Sequence, residues 1–412
     1  MSKPITDLIH HPYVPPEGFA APQPGVFKAS TVIFPNVAAM RSRDWQHKKG
    51  YTYGLHGTPT TFMLEERIAA LEGGQYCILV PSGLSAIANV SMALLKSGDE
   101  VLIPDNAYGP TKVLADGELK KWGISHQFYD PMKPDDLRSR IGPQTKLVLL
   151  EAPGSVTMEF PPLAQLAAIC RERDVISVLD NTWGAGLAFN GFDLGEGERR
   201  VSGSGADIVV QALTKYPSGG GDVLMGSIVT RDEKLHLQLK LTHMHVGWGV
   251  GGNDAEAILR SLPTLPLRYR AQDTASRMLA AWLKTRPEIS ELLHPAFEGS
   301  PGHEHWRELC GGDGPNDGTA AGGAAAGLFS VVFDPRYSMA QVDAFCDALK
   351  LFKLGYSWGG PVSLVVPYDV ATMRSPRLAA WPHKGVLVRF SIGFEAVEDL
   401  RADLEQALGA LA

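Results

Sequence analysis

Residues 206–226, ADIVVQALTKYPSGGGDVLMG, decide the reading of this chain. An apolar run at 208–213 is short enough for a buried strand. Thr214, Lys215 and Tyr216 follow it, then a glycine cluster, then a second apolar run from Val223. Lysine is mostly exposed and costly to bury unpaired, so a lysine just past a buried strand asks for a reason. One chemistry uses such a lysine directly. It forms a Schiff base with an aldehyde cofactor, and the protein supplies an acid partner for the pyridinium nitrogen. A candidate acid, Asp180, stands 35 residues upstream (215 − 180), where it ends the apolar run VISVLD. The plainer reading makes Lys215 and Asp180 two unrelated strand-end charges in water.

Around this stretch, apolar runs of strand length alternate with helical periodicity. Strands are predicted at 77–80, 101–103, 147–150 and 175–179, and helices at 85–96 and 163–171. Before them, Leu64, Ile68 and Leu71 recur at helical spacing, with Thr58 or Thr60 to cap the start and Gly73-Gly74 to end it. Continuous apolar strands between helices imply a mostly parallel sheet covered on both faces. Ligands of such sheets sit beyond the carboxyl ends of the strands, which is where Asp180 and Ser82-Gly83 fall. Past residue 252 the pattern predicts a helix at 254–262 broken by Pro263 and Pro266, and a glycine- and alanine-rich surface loop at 311–327. A strand at 328–333, a helix opened by Ser338 with Gln341, a strand at 386–392 and a closing amphipathic helix complete it. The predicted organisation is an arm (1–55), a cofactor-sized α/β domain (56–251) and a smaller α/β domain (252–412).

A chain of 412 residues can hold two domains, and a net charge of −7 gives no reason to expect nucleic acid. Cys77, Cys170, Cys310 and Cys346 lie far apart, without metal-ligand spacing, and read as reduced thiols. The N-terminus lacks an apolar signal core and no run reaches ~18 apolar residues. A soluble cytoplasmic enzyme without a membrane partner is expected.

Further segments carry candidate chemistry. In PSGLSAIANV, Ser82 and Gly83 link a strand to a helix start, and the Gly83 and Leu84 amides there suit an anion. In DNAYGPT, Tyr108 can lie flat on a ring. YTYGLHGTPTTF holds Tyr53, and EAPGSVTME holds Ser155. In the second domain, Arg389 of LVRFSIGFE offers a fork for a carboxylate, and Ser357 of GYSWGG a hydrogen bond. Taken singly, each has an ordinary structural reading as a turn, packing or ion-pair residue.

Together, and in this order along nearly the whole chain, these segments resemble the pyridoxal 5′-phosphate enzymes of cysteine and methionine metabolism, the trans-sulfuration family. Tyr-Gly-Pro-Thr, Ser155 and Tyr-Ser-Trp-Gly-Gly look most like its bacterial β-lyases. The resemblance implies the type I, aspartate-aminotransferase-like fold, with active sites shared between subunits of a homotetramer. It implies Lys215, Tyr108 and Tyr53 as catalytic residues. Gly83, Leu84, Tyr108, Ser155, Asp180, Thr214, Lys215 and Tyr53 would bind the cofactor, and Ser357 and Arg389 the amino-acid substrate. The implied reaction is β-elimination, L-cystathionine giving homocysteine, pyruvate and ammonia. Other cysteine conjugates and γ-chemistry are the alternatives. Three positions depart from the pattern. Ala212 replaces a serine, Val362 replaces a glutamate, and Leu55 replaces a phosphate-binding arginine, whose charge His56 could supply in part.

Overall fold

The computed structural model describes all residues except 1–3, 20, 196–202, 312–321, 379 and 412. Most of the predicted 311–327 loop therefore lies outside the described residues. Seven strands form the larger sheet: β1 (Tyr76–Val80), β2 (Glu100–Pro104), β3 (Ser125–Tyr129), β4 (Thr145–Glu151), β5 (Ile176–Asp180), β6 (Ile208–Gln211) and β7 (Gly226–Thr230). Their order is β1-β7-β6-β5-β4-β2-β3, and β7 alone runs against its neighbours. The second sheet has the order β10-β11-β12-β9-β8, from β8 (Ile289–Leu293), β9 (Leu328–Phe333), β10 (Lys353–Leu354), β11 (Leu364–Tyr368) and β12 (Leu387–Ser391).

The unbroken apolar strands have their explanation in the two faces of the larger sheet. Cys77 and Leu79 of β1, with Val148 and Leu150 of β4, enter a core shared with Leu64 and Ile68 of the helix Pro59–Glu72 and with Leu166 and Cys170 of the helix Leu163–Glu172. Ile78, Val80, Leu147 and Leu149 point the other way, against Ile87 and Val90 of the helix Gly83–Leu94 and Leu239 of the helix Glu233–Val246. Side chains alternate along a strand, so a strand covered on both sides must be apolar at every position.

Caps set the helix ends. Thr58 and Thr61 bond reciprocally at the start of Pro59–Glu72, and Gly73 ends it at φ 76°. Ser338 and Gln341 form the expected capping box. Pro263 and Pro266 do not break the chain's helical course. Proline is tolerated in a first turn, where its missing N–H would be unpaired anyway. Pro263 sits in the short turn Leu262–Thr264, and Pro266 opens the 20-residue helix Leu265–Lys284, which the sequence pattern did not reveal.

The smaller sheet packs one face, through Phe329, Val331 and Phe390, onto Leu400 and Leu404 of the closing helix Val397–Leu408. Leu328, Val332 and Leu387 face the core of the larger sheet, and Ser330 donates a 2.7 Å hydrogen bond to the Val156 carbonyl. These contacts press the smaller sheet against the carboxyl edge of the larger one. The candidate site lies there. All four cysteines are buried and unbridged, and among the described residues no helix is long and apolar enough to cross a membrane.

Candidate active site

The carboxyl ends of β1, β4, β5 and β6 converge on a cavity of about 450 Å³, within the usual range of small-molecule sites. Its wall includes Ser82, Gly83 and Leu84 after β1, and Tyr108 after β2. Glu151 and Ser155 come from the end of β4, Asp180 and Thr182 from the end of β5, and Ala212, Thr214 and Lys215 from the segment after β6. Tyr356, Ser357 and Trp358 close it from the second domain.

Lys215 is not a solvated strand-end charge. Its Nζ donates to Ser357 Oγ at 3.0 Å and stands 4.5 Å from the centre of the Trp358 ring. Burial, reinforced by the positive charge of Arg389, pushes the amine down to about 8, against the pull of Asp180. Asp180 closes β5 and is held by Thr182, whose N–H (2.9 Å) and hydroxyl both donate to its Oδ1. The same Thr182 oxygen accepts the Ala212 N–H at 2.9 Å, which ties the acid to the lysine segment. In the chain on its own, burial holds the Asp180 carboxyl above its ordinary range, with Thr182 and Lys215 acting in the opposite direction. A cation facing it would restore the carboxylate.

The turn into Gly83–Leu94 has the form of an anion cradle. Ser82 Oγ accepts the Ser85 N–H at 3.0 Å, while the helix-start amides of Gly83 and Leu84 have no partner among the described residues. A Cβ at Gly83 would stand 2.7 Å from the Ala212 Cβ, so only glycine lets these two segments approach so closely. Free amides, a half-buried acid, an amine and the Tyr108 ring around one cavity fit an anionic, pyridine-bearing aldehyde. The Thr214 hydroxyl is engaged with the Met225 backbone, donating at 3.2 Å and accepting at 3.1 Å.

Other expected residues stand further off. Arg389 is buried behind Trp358 and Tyr368, with its guanidinium carbon 5.1 and 5.3 Å from their ring centres, and does not line the cavity. Its Nη1 donates to the Ser155 carbonyl at 2.9 Å, so Ser155 meets the arginine through its backbone. Tyr53 is exposed and away from this cavity, paired in an isolated bridge with Thr31. Leu55 is next to Gly249 rather than the cavity. Burial and the nearby Lys240 and Arg43 lower the His56 imidazole below its usual range, and its Nδ1 pairs with Thr52 Oγ1 at 2.7 Å.

Sequence reading did not assign Glu151, Thr182 or Trp358. Glu151 and Trp358 were inside quoted segments and Thr182 two residues past one, but nothing in a sequence shows which way a strand-end side chain points.

Comparison with known proteins agrees with this geometry. The profile described as "Cys/Met metabolism PLP-dependent enzyme" matches residues 5–409. The chain is 35% identical to cystathionine beta-lyase of Bordetella avium, over 99% of this chain and 98% of that one. It is 34% identical to cystathionine beta-lyase MetC of Escherichia coli K12, over 92% and 91%. The crystal structure of cystathionine gamma synthase from Xanthomonas oryzae pv. oryzae, in complex with aminoacrylate and cysteine, superposes with a TM-score of 0.84 at 27% identity, covering 100% of this chain and 99% of that one. With a lysine, an acid and an anion cradle converging as this chemistry requires, the chain belongs to the pyridoxal-phosphate-dependent enzymes of cysteine and methionine metabolism.

Proposed function

We propose that this chain carries out β-elimination on a sulfur amino acid, with L-cystathionine giving homocysteine, pyruvate and ammonia. The observation that carries the reading is Lys215 Nζ, tethered to Ser357 Oγ inside a cavity that also presents Asp180. The two β-lyase relatives, and Ser155 and Trp358 at the positions that most resemble β-lyases, support it over γ-chemistry.

Pyridoxal phosphate, when bound, supplies the electron sink for charge left at the substrate Cα. The chain's residues supply the rest. Gly83 and Leu84 would hold the phosphate through their amides, and Asp180 the ring nitrogen, with Tyr108 against the ring. Lys215 Nζ, pushed down to about 8, can take the Cα proton and return it to the departing sulfur. Ser357 Oγ fixes the amine on one side of the cavity for that transfer. Tyr108, at the cavity wall, is a second proton donor. We take Arg389 as the α-carboxylate clamp, a role that requires the Trp358 or Tyr368 ring in front of it to move aside: Nη1 is committed to the Ser155 carbonyl, and the rest of its fork makes no other hydrogen bond among the described residues.

Tyr53 would act in the site of a neighbouring copy. The apolar side chains left open on its arm favour such an assembly, which we take as a homotetramer in the cytoplasm. The division into residues 1–55, 56–251 and 252–412 belongs to the same reading, with cofactor residues in the second segment and Ser357 and Arg389 in the third.

Lys215→Ala tests it. The variant should release no detectable pyruvate from cystathionine and show no visible absorbance from bound cofactor. Intact turnover would overturn the assignment, and 2-oxobutanoate as the wild-type product would replace it with γ-chemistry.

A further inference from the structure

Glu151 ends β4 directly beside Asp180, its partner in the parallel register with β5. Both side chains line the cavity. Two half-buried carboxyls at adjacent strand ends cannot both be anions cheaply, because each raises the cost of charging the other. Asp180 has the better claim to the charge, with Thr182 donating twice to it and Lys215 opposite. Glu151 has a backbone partner instead. Its Oε2 accepts the Tyr108 N–H at 2.9 Å, while the nearby Ser155 N–H donates to the Asn106 carbonyl at 3.2 Å. Ser155 in turn presents its carbonyl to Arg389. One carboxyl therefore joins the segment carrying the ring-facing tyrosine to the segment that seats the carboxylate clamp.

We infer that Glu151 is a positioning residue, a neutral carboxylic acid that fixes the Tyr108 backbone and leaves Asp180 as the sole anion of the pair. The groups that bear on its charge agree with this. Burial and the Asp180 charge hold Glu151 well above the ordinary carboxylate range, and the two amides only partly oppose them. Tyr108 and Tyr129, the tyrosines that feel the Glu151 charge, are both pushed up by burial and stay neutral phenols. A neutral Glu151 also spares the Lys215 amine a second nearby anion, which would raise it.

The proposal rests on the β-elimination reading only for turnover; cofactor spectra test it independently. Glu151→Gln keeps an acceptor oxygen and stays neutral, whereas Glu151→Ala removes the link. For the Gln variant, kcat/KM should stay within about threefold of wild type, and the pH midpoint of the cofactor's visible band should not move. The Ala variant should lose ~10–100-fold in kcat/KM, the scale of a small misplacement of catalytic groups, while still binding cofactor. A Gln variant as impaired as the Ala variant, or a downward shift of its midpoint by about one pH unit, would show an anionic Glu151 and overturn the proposal. An Ala variant equal to wild type would overturn it as well. If Glu151→Ala does not fold, the Gln midpoint decides alone. Wild-type protein that binds the cofactor but releases no pyruvate would refute the function and leave the spectral test of Glu151 standing.

Discussion

A half-buried amine such as Lys215 is destabilising to a folded chain unless something is gained elsewhere, and here the surroundings are arranged to lower its proton affinity rather than to neutralise it. Asp180 lies near enough to be felt, yet the amine's hydrogen bond goes to the neutral Ser357. That arrangement suits a base that must give up and regain protons near neutral pH. The same cavity shows how a single missing oxygen has consequences. Ala212 faces the Gly83 turn with a methyl group, in the position where the family's lysine motif carries a hydroxyl. Restoring it by Ala212→Ser adds one donor for the cofactor's phosphate. A hydrogen bond to a charged group is worth about 1.5–3 kcal/mol before the cost of desolvation, so tighter binding by roughly tenfold is expected. Titrating the apo-protein with pyridoxal phosphate by fluorescence measures this, and unchanged or weaker affinity would mean that Ala212 does not face the phosphate.

Elements carry the site because their ends do. The helix Pro59–Glu72 is fixed at its start by Thr58 and Thr61 and at its end by Gly73, which leaves Glu72 in the last turn, fully buried. An acid there opposes the helix dipole. Burial raises its carboxyl to about 8, with Asp180 adding to the effect and the Asn181 amide, 2.8 Å from Oε2, working against it. The folded chain thus keeps a proton that the unfolded chain, with a value near 4.5, gives up. Stability from this group is complete below pH 4.5 and is lost as pH rises towards 8. Glu72→Gln stays neutral throughout and can keep the bond to Asn181. Urea denaturation of both apo-proteins at pH 5, 6.5 and 8 should show wild type losing more stability than the variant, by at most about 5 kcal/mol. Parallel pH dependences would place a charged Glu72 in the folded chain.

At the scale of the molecule, the arm leaves apolar side chains open to solvent. Val14 is 90% exposed and Ile33 85%, with Phe19 and Tyr53 also open to solvent. Scattered exposed residues are ordinary, but apolar side chains strung along one arm suit burial against another chain. Light scattering of the wild type should give the mass of four copies of the 44.4 kDa chain. Val14→Asp combined with Ile33→Asp should yield smaller species and lower kcat/KM by at least about tenfold, because Tyr53 would no longer reach a neighbour. A monomeric wild type, or a fully assembled and active double variant, would remove the arm from the account.

The fold class and most of the site were legible in the sequence because they rest on local signals. Runs of apolar residues with period two or 3.6, caps such as Thr58 and Ser338, and the strand-end positions of Asp180 and Lys215 all follow from neighbours in the chain. The helix Leu265–Lys284 was hidden because Pro263 and Pro266 read as breaks, whereas Pro263 sits in the short turn before the helix and Pro266 in its first turn. What tertiary structure alone decided is direction and company. It turned Ser357 to Lys215, set Arg389 behind Trp358, brought His56 near Lys240 and Arg43 and placed Glu151 beside Asp180. The physical reason is that these relations join residues up to 234 positions apart, as between Ser155 and Arg389. Packing and desolvation between distant segments set them, and neither is written in any one segment.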